Sequence, residues 1–285
     1  MVYRRDYRRN PTSTFIRKTF SLTTTIIIVN VVLFFLISII SIFYKDLINF
    51  IAVKSSSVLS GENVWTIFTS ILMHGSFFHL FVNMLSLFFL GGLTEQIIGR
   101  KRFFWFYLIA GIVGSLFFVL FAYLGQFFPR GDFIFGGIDD YAVGASGAIF
   151  GILGILATLL PKKKVYLIIG PLIVIILQVL IAGVLPSISN IVDIIGGILI
   201  FVMIFAMFSP SAALSRRFAM PLRLPFWLTP IIAIVPLLII GFFVKLPIGN
   251  MAHFGGLVVG LVYGAYLRNK YKQKVKLLNR VIKNG

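Results

Sequence analysis

Eight apolar stretches divide this chain, each near the roughly 20 residues that a helix needs to cross a hydrocarbon core. They run over Thr24–Phe43, Phe77–Leu93, Phe103–Phe128, Val143–Leu160, Val165–Leu185, Ile191–Phe208, Phe226–Val244 and Met251–Leu267. In lipid every backbone polar group must be satisfied within its own segment, so such runs predict helices and exclude a soluble domain. Composition agrees, with 59% hydrophobic and 12% charged residues in 285 and a mean hydropathy of +1.02. The fold expected is an all-α membrane protein, a polytopic helical bundle. The first run is too long for a signal-peptide core of roughly 7 to 15 residues, which makes it an uncleaved span. The absence of cysteine removes disulfide and thiolate chemistry.

The net charge of +18 would suggest an acidic partner such as nucleic acid in a soluble protein. Its distribution has another cause. With the N-terminus inside, 22 of the 26 basic residues fall in inner segments, leaving Lys45, Lys54, Arg130 and Lys245 outside. That asymmetry predicts eight spans with both termini cytoplasmic and needs no nucleic acid. The organisation expected is a basic tail over 1–23, a transmembrane domain over 24–267 and a second basic tail over 268–285, in the plasma membrane. Outside, the loop over Tyr44–Ser76 is long, and Pro129–Ala142 carries Asp132, Asp139 and Asp140.

Within the apolar runs, polar groups are few. Val143–Gly151 places Ser146 between Gly144 and Gly147 at the start of a helix; such a serine serves either close helix packing or nucleophilic chemistry. Of the three histidines, His74, His79 and His253, two lie in or at the start of apolar runs, where ionisable groups face an interior or a wet cavity, as packing residues or as functional ones. Counting at 1.5 Å per residue from the inner charges puts Ser146 and His253 about 22 Å up and His79 about 24 Å up. All three then lie about 6 to 8 Å below the outer surface. Gly256, Gly260 and Gly264 recur every four residues beside His253, and Gly147 and Gly151 do so beside Ser146, a spacing that lets helices touch. Ser146 and His253 can thereby meet, while His79 and Asn83, one turn apart, form a donor pair for an oxyanion.

These residues resemble the rhomboid intramembrane serine proteases. Gly144-Ala145-Ser146-Gly147 is similar to the family's G-x-S-G, and Ala252-His253 with Gly256 and Gly260 to its A-H-x-x-G-x-x-x-G. His74, His79 and Asn83 match the segment entering the second helix, Gly91, Glu95 and Gly99 the G-x-x-x-E-x-x-x-G that ends it, and Trp65 the loop W-R. The resemblance implies a six-helix core with two extra spans. It makes Ser146 the nucleophile and His253 the general base, with His79, Asn83 and the Ser146 N–H as oxyanion donors and Gly144 and Phe150 lining the substrate site. Transmembrane protein substrates within the lipid bilayer are implied as partners, and no metal or organic cofactor.

The sequence departs from the pattern at Thr66, where the family has Arg, and at Phe150, where many members have Tyr. The Phe150 ring can pack on His253 but cannot donate a hydrogen bond. The 107 residues between Ser146 and His253 fit an inserted pair of spans, the eighth helix playing the family's sixth. A competing alignment gives that role to Ile191–Gly197, which offers Asp193 and no imidazole. Asp193 at this depth either orients His253 or reaches toward water at the outer end. Two other functions remain open on sequence: a non-catalytic relative that binds membrane segments, and a small-solute transporter, to which Pro171, Pro230 and Pro236 lend slight support.

Overall fold

The computed structural model describes residues 21–206, 221–246 and 248–283. Most of the N-terminal tail, Arg216 and Arg217, which were expected on the inner side, and Met207 and Phe208 at the end of the sixth run lie outside them. Each apolar run contains a helix: α1 Leu22–Phe43, α2 Phe77–Ile98, α3 Arg100–Gly125, α4 Ser146–Leu159, α5 Ile169–Val184, α6 Ser189–Ala206, α7 Thr229–Gly241 and α8 Asn250–Lys270. Beyond the eighth run, α9 spans Lys272–Lys283, and short helical turns such as Leu47–Ile51 and Gly131–Phe135 lie in the loops. By length and composition α1, α2, α3 and α6 can each cross a membrane, whereas α4 and α7 are shorter apolar helices.

The structure differs from the expected all-α pattern in two short antiparallel ribbons. β1 (Val53–Lys54) pairs with β2 (Tyr141–Ala142). β3 (Lys164–Ile168) pairs with β4 (Pro221–Pro225) and takes the first residues of the predicted fifth span out of the helix. The cause is non-local, since Val165 lies opposite Leu224 and no local pattern records that partner. The fourth run also becomes helical later than expected, at Ser146, because Gly144 has φ +125° and interrupts the chain before it.

α4 is the centre of the bundle, lying against α8 along its length and also against α3, α7 and α2. Its Ile152, Ile155 and Leu156 are fully enclosed, an all-round apolar helix of the kind that is buried. Glycines set the approach. A Cβ on Gly256 would stand 1.9 Å from the Gly147 carbonyl oxygen, and one on Gly260 would stand 2.0 Å from that of Gly151. α3 joins the same contact through Gly114, whose Cβ would meet the Ala252 carbonyl oxygen at 2.8 Å.

At the opposite end of the bundle from Ser146, Glu95 caps α1. Its Oε1 accepts from the Leu22 N–H at 2.9 Å, and its Oε2 from the Thr23 N–H and hydroxyl at 2.8 and 2.7 Å. A carboxylate there satisfies orphan amides and meets the positive end of the helix dipole. α5 and α6 form a hairpin that rests on α2, with Phe201 against Phe81 and Gly197 beneath Phe78.

Candidate active site

α4 begins at Ser146, with Ala145 at the cap position and no side chain bonded to its first amides, so its positive end is open to an anion. The Ser146 Oγ lies 2.8 Å from the His253 Nε2. α8 delivers that imidazole from its first turn, held at the right separation by Gly147 against Ala252 and by Gly256 against Gly147. Phe150, one turn below Ser146, stacks on the His253 ring at a centroid distance of 4.3 Å and an angle of 13°. The ring therefore has little freedom to turn away from the hydroxyl. Its other nitrogen, Nδ1, is buried and has no hydrogen-bond partner. Asp193 is exposed and bonded instead to Gln178.

On the other side of Ser146, His79 and Asn83 converge on Gly144. A Cβ there would come within 2.8 Å of the His79 Nε2 and 3.6 Å of the Asn83 Nδ2. Gly144 is thus required twice, by its φ and by its two neighbours. The Asn83 Nδ2 is buried and without a partner, a donor with nothing yet to donate to. The Gly144 N–H donates to the Ser70 carbonyl at 2.8 Å, which fixes the peptide leading into Ser146. His74 is buried beside this pair, its ring edge-on to that of His79 with centroids 5.2 Å apart. Burial first, and His79 second, pushes the His74 pKa down to about 3.

The loop between α1 and α2 braces the site. Trp65 Nε1 donates to the Phe50 carbonyl at 2.9 Å, and Thr66, in the position of the expected Arg, is buried and bonded to the Asn63 carbonyl. The β1–β2 ribbon ties this loop to Tyr141 and Ala142. Ion pairs join Lys54 to Asp139 at 3.1 Å and Lys245 to Asp140 at 2.9 Å. Sequence reasoning missed Gly114 and Ser70. The small residues Ala110, Gly111, Gly114 and Ser115 on α3 were the available signal for the first; Ser70 acts through its carbonyl, which no side-chain pattern reveals. Among the described residues no group of three or more His, Cys, Asp or Glu is placed to hold a metal ion.

Apolar helices around an interior serine–imidazole contact define a multi-pass helical membrane protein. A family model described as the Rhomboid domain matches residues 61–210, just over half of the chain, and the chain belongs to the rhomboid family. The matched stretch contains His79, Asn83 and Ser146 and ends before His253. The chain is similar to RHOMBOID-like protein 1 of Arabidopsis thaliana, 39% identical over 49% of this chain and 33% of that protein. It is also similar to Rhomboid protease GluP of Bacillus subtilis, 35% identical over 43% and 21%, and to Inactive RHOMBOID-like protein 8 of Arabidopsis thaliana, 35% identical over 38% and 26%. The aligned stretches thus span a third or less of these relatives' own lengths.

Proposed function

We propose that this protein is an intramembrane serine protease that hydrolyses peptide bonds in or near transmembrane segments of other membrane proteins. The observation that carries the reading is the 2.8 Å contact between the Ser146 Oγ and the His253 Nε2 inside an apolar bundle. Nε2 accepts the Oγ proton as Oγ attacks the scissile carbonyl carbon. The oxyanion that forms is stabilised by His79, Asn83 and the Ser146 N–H at the start of α4. The imidazolium returns its proton to the departing amine, and a water, deprotonated by the same Nε2, then releases the acyl group from Ser146. Gly144 and Phe150 line the space beside the reacting carbonyl. No metal or organic cofactor takes part.

The architecture proposed is a six-helix core, α1 to α4 with α7 and α8, and an inserted α5–α6 hairpin, giving eight spans. The basic tails over 1–23 and 268–285 flank the membrane domain over 24–267 and face the cytoplasm from the plasma membrane, as the inner excess of Lys and Arg favours. At 14 and 13 residues, α4 and α7 rise only about 20 Å, which leaves Ser146 recessed below the outer surface, where water can reach it.

A second reading, a rhomboid-like protein that binds membrane segments without cutting them, is favoured by the similarity to a relative that carries the name inactive. A fluorophosphonate probe separates the two. The wild type is expected to be labelled and to cut a model transmembrane substrate in liposomes, and Ser146→Ala and His253→Ala to lose cutting. An unlabelled wild type would select the second reading, and persistent cutting by either variant would undo the assignment of the pair.

A further inference from the structure

At the end of the bundle opposite Ser146, α8 breaks at Tyr271 and the chain turns into α9, Lys-Gln-Lys-Val-Lys-Leu-Leu-Asn-Arg-Val-Ile-Lys. Val275 and Leu278, three apart on one face, join Tyr271 against the core around α4. From that same face the Asn279 Nδ2 donates to the Leu159 carbonyl at 2.8 Å, satisfying one of the orphan carbonyls at the foot of α4. Lys272, Lys274, Lys276 and Arg280 are exposed. With its apolar face docked on the bundle, this helix presents its basic face outward, the kind of surface that anionic headgroups attract.

The charges here converge without a carboxylate among them. The Arg102 guanidinium, Lys274 Nζ and Lys270 Nζ stand 5.4, 5.7 and 5.9 Å from the centre of the Tyr271 ring. Arg102 also donates to the Tyr271 hydroxyl at 3.1 Å, and Lys270 to the Tyr266 hydroxyl at 2.7 Å. Among the described residues the ion pairs are Lys54–Asp139 and Lys245–Asp140, both at the other end. The described acid at this end, Glu95, already spends both oxygens on Leu22 and Thr23. The ring face attracts each cation, but the like charges still repel one another, which an anion among them would relieve; a phosphodiester suits guanidinium and ammonium donors.

We infer that α9 and the Arg102, Lys270 and Lys274 cluster around Tyr271 form a binding surface for the headgroups of anionic phospholipids, fastening the foot of α4 to the membrane. The test uses the full chain in a non-ionic detergent, titrated with phosphatidylglycerol, phosphatidylcholine or inorganic phosphate, with lipid retention read by native mass spectrometry and the unfolding midpoint by a thermal scan. Phosphatidylglycerol is expected to be retained and to raise the midpoint, and phosphatidylcholine and phosphate to do neither. Arg102→Gln with Lys274→Gln is expected to weaken phosphatidylglycerol retention about thirtyfold, at about fivefold per cation. Should that pair fail to fold, Lys272→Gln with Lys276→Gln on the exposed face is expected to weaken it similarly. Equal retention of both lipids, or undiminished retention in a folded double variant, overturns the inference, and a midpoint raised as much by phosphate alone overturns the lipid as occupant. None of these readouts involves proteolysis, so the outcome is separable from the assignment of Ser146 and His253.

Discussion

Gly256 of α8 and Gly147 of α4 touch backbone to backbone, leaving 1.9 Å between the Gly147 carbonyl oxygen and the position a Cβ on Gly256 would occupy. No side-chain rotation relieves that clash, so Gly256→Ala must push the two helices apart. We expect a loss of about 1 to 3 kcal/mol of stability, and a steeper loss of probe labelling because the serine and imidazole separate with the helices. Gly92→Ala, where a Cβ meets nothing within 4 Å, is the control and is expected to leave both measurements near wild type. Equal behaviour of the two variants in a thermal scan would show that the contact does not set the helix separation.

Removing the unpartnered donor at Asn83 tests the oxyanion role. Asn83→Ala is expected to lower kcat about 10²- to 10³-fold with KM little changed. A rise in KM alone would mean that Asn83 holds the ground-state substrate instead.

Glu95 caps α1 with three hydrogen bonds. Glu95→Ala leaves those amides without a partner and is expected to cost about 1 to 2 kcal/mol, measured as a lower unfolding midpoint. Cutting per folded molecule should hold, since Glu95 lies at the far end from Ser146.

The brace between Lys54 and Asp139 has a defined pH window. The Ser56 hydroxyl first, and Lys54 next, hold the Asp139 carboxyl below the usual carboxylate range; the bond to Asp139 holds Lys54 above the usual lysine range. A depressed carboxyl contributes fully above its unfolded pKa and loses that contribution as pH falls through the folded value. A raised lysine contributes below its unfolded pKa and loses it as pH rises through its folded value. Hydrogen exchange at Ser56, whose N–H donates to the Ile138 carbonyl, should therefore show constant protection from about pH 5 to pH 9 once corrected for intrinsic rates. A step in protection between those limits would assign the brace to some other group.

What the sequence reveals here depends on how local the cause is. Small residues at four-residue spacing on two runs were enough to anticipate that α4 and α8 touch, because helical periodicity converts spacing into a face. The late start of α4 turns on one dihedral at Gly144, and the shortened α5 on the pairing of Val165 with Leu224; neither leaves a periodic trace. Asp139 and Asp140 of the Pro129–Ala142 loop were visible as charges, but their partners, Lys54 and Lys245, are 85 and 105 residues away. Ser70 holds Gly144 through a main-chain oxygen, a role that any residue type could fill.

Asp139 and Asp140 are neighbours in the chain, yet one grips Lys54 ahead of α2 and the other grips Lys245 ahead of α8. The peptide that runs into Ser146 and the peptide that runs into His253 are consequently fastened to a single clasp. A displacement of either loop pulls on both halves of the serine–imidazole pair at once, which makes the rim a mechanical yoke. Both ion pairs reach solvent and weaken with added salt, so a saltier medium loosens the Lys245 side of that yoke more than the Lys54 side, which the β1–β2 pairing and the Ser56 hydroxyl bond to Asp139 also hold.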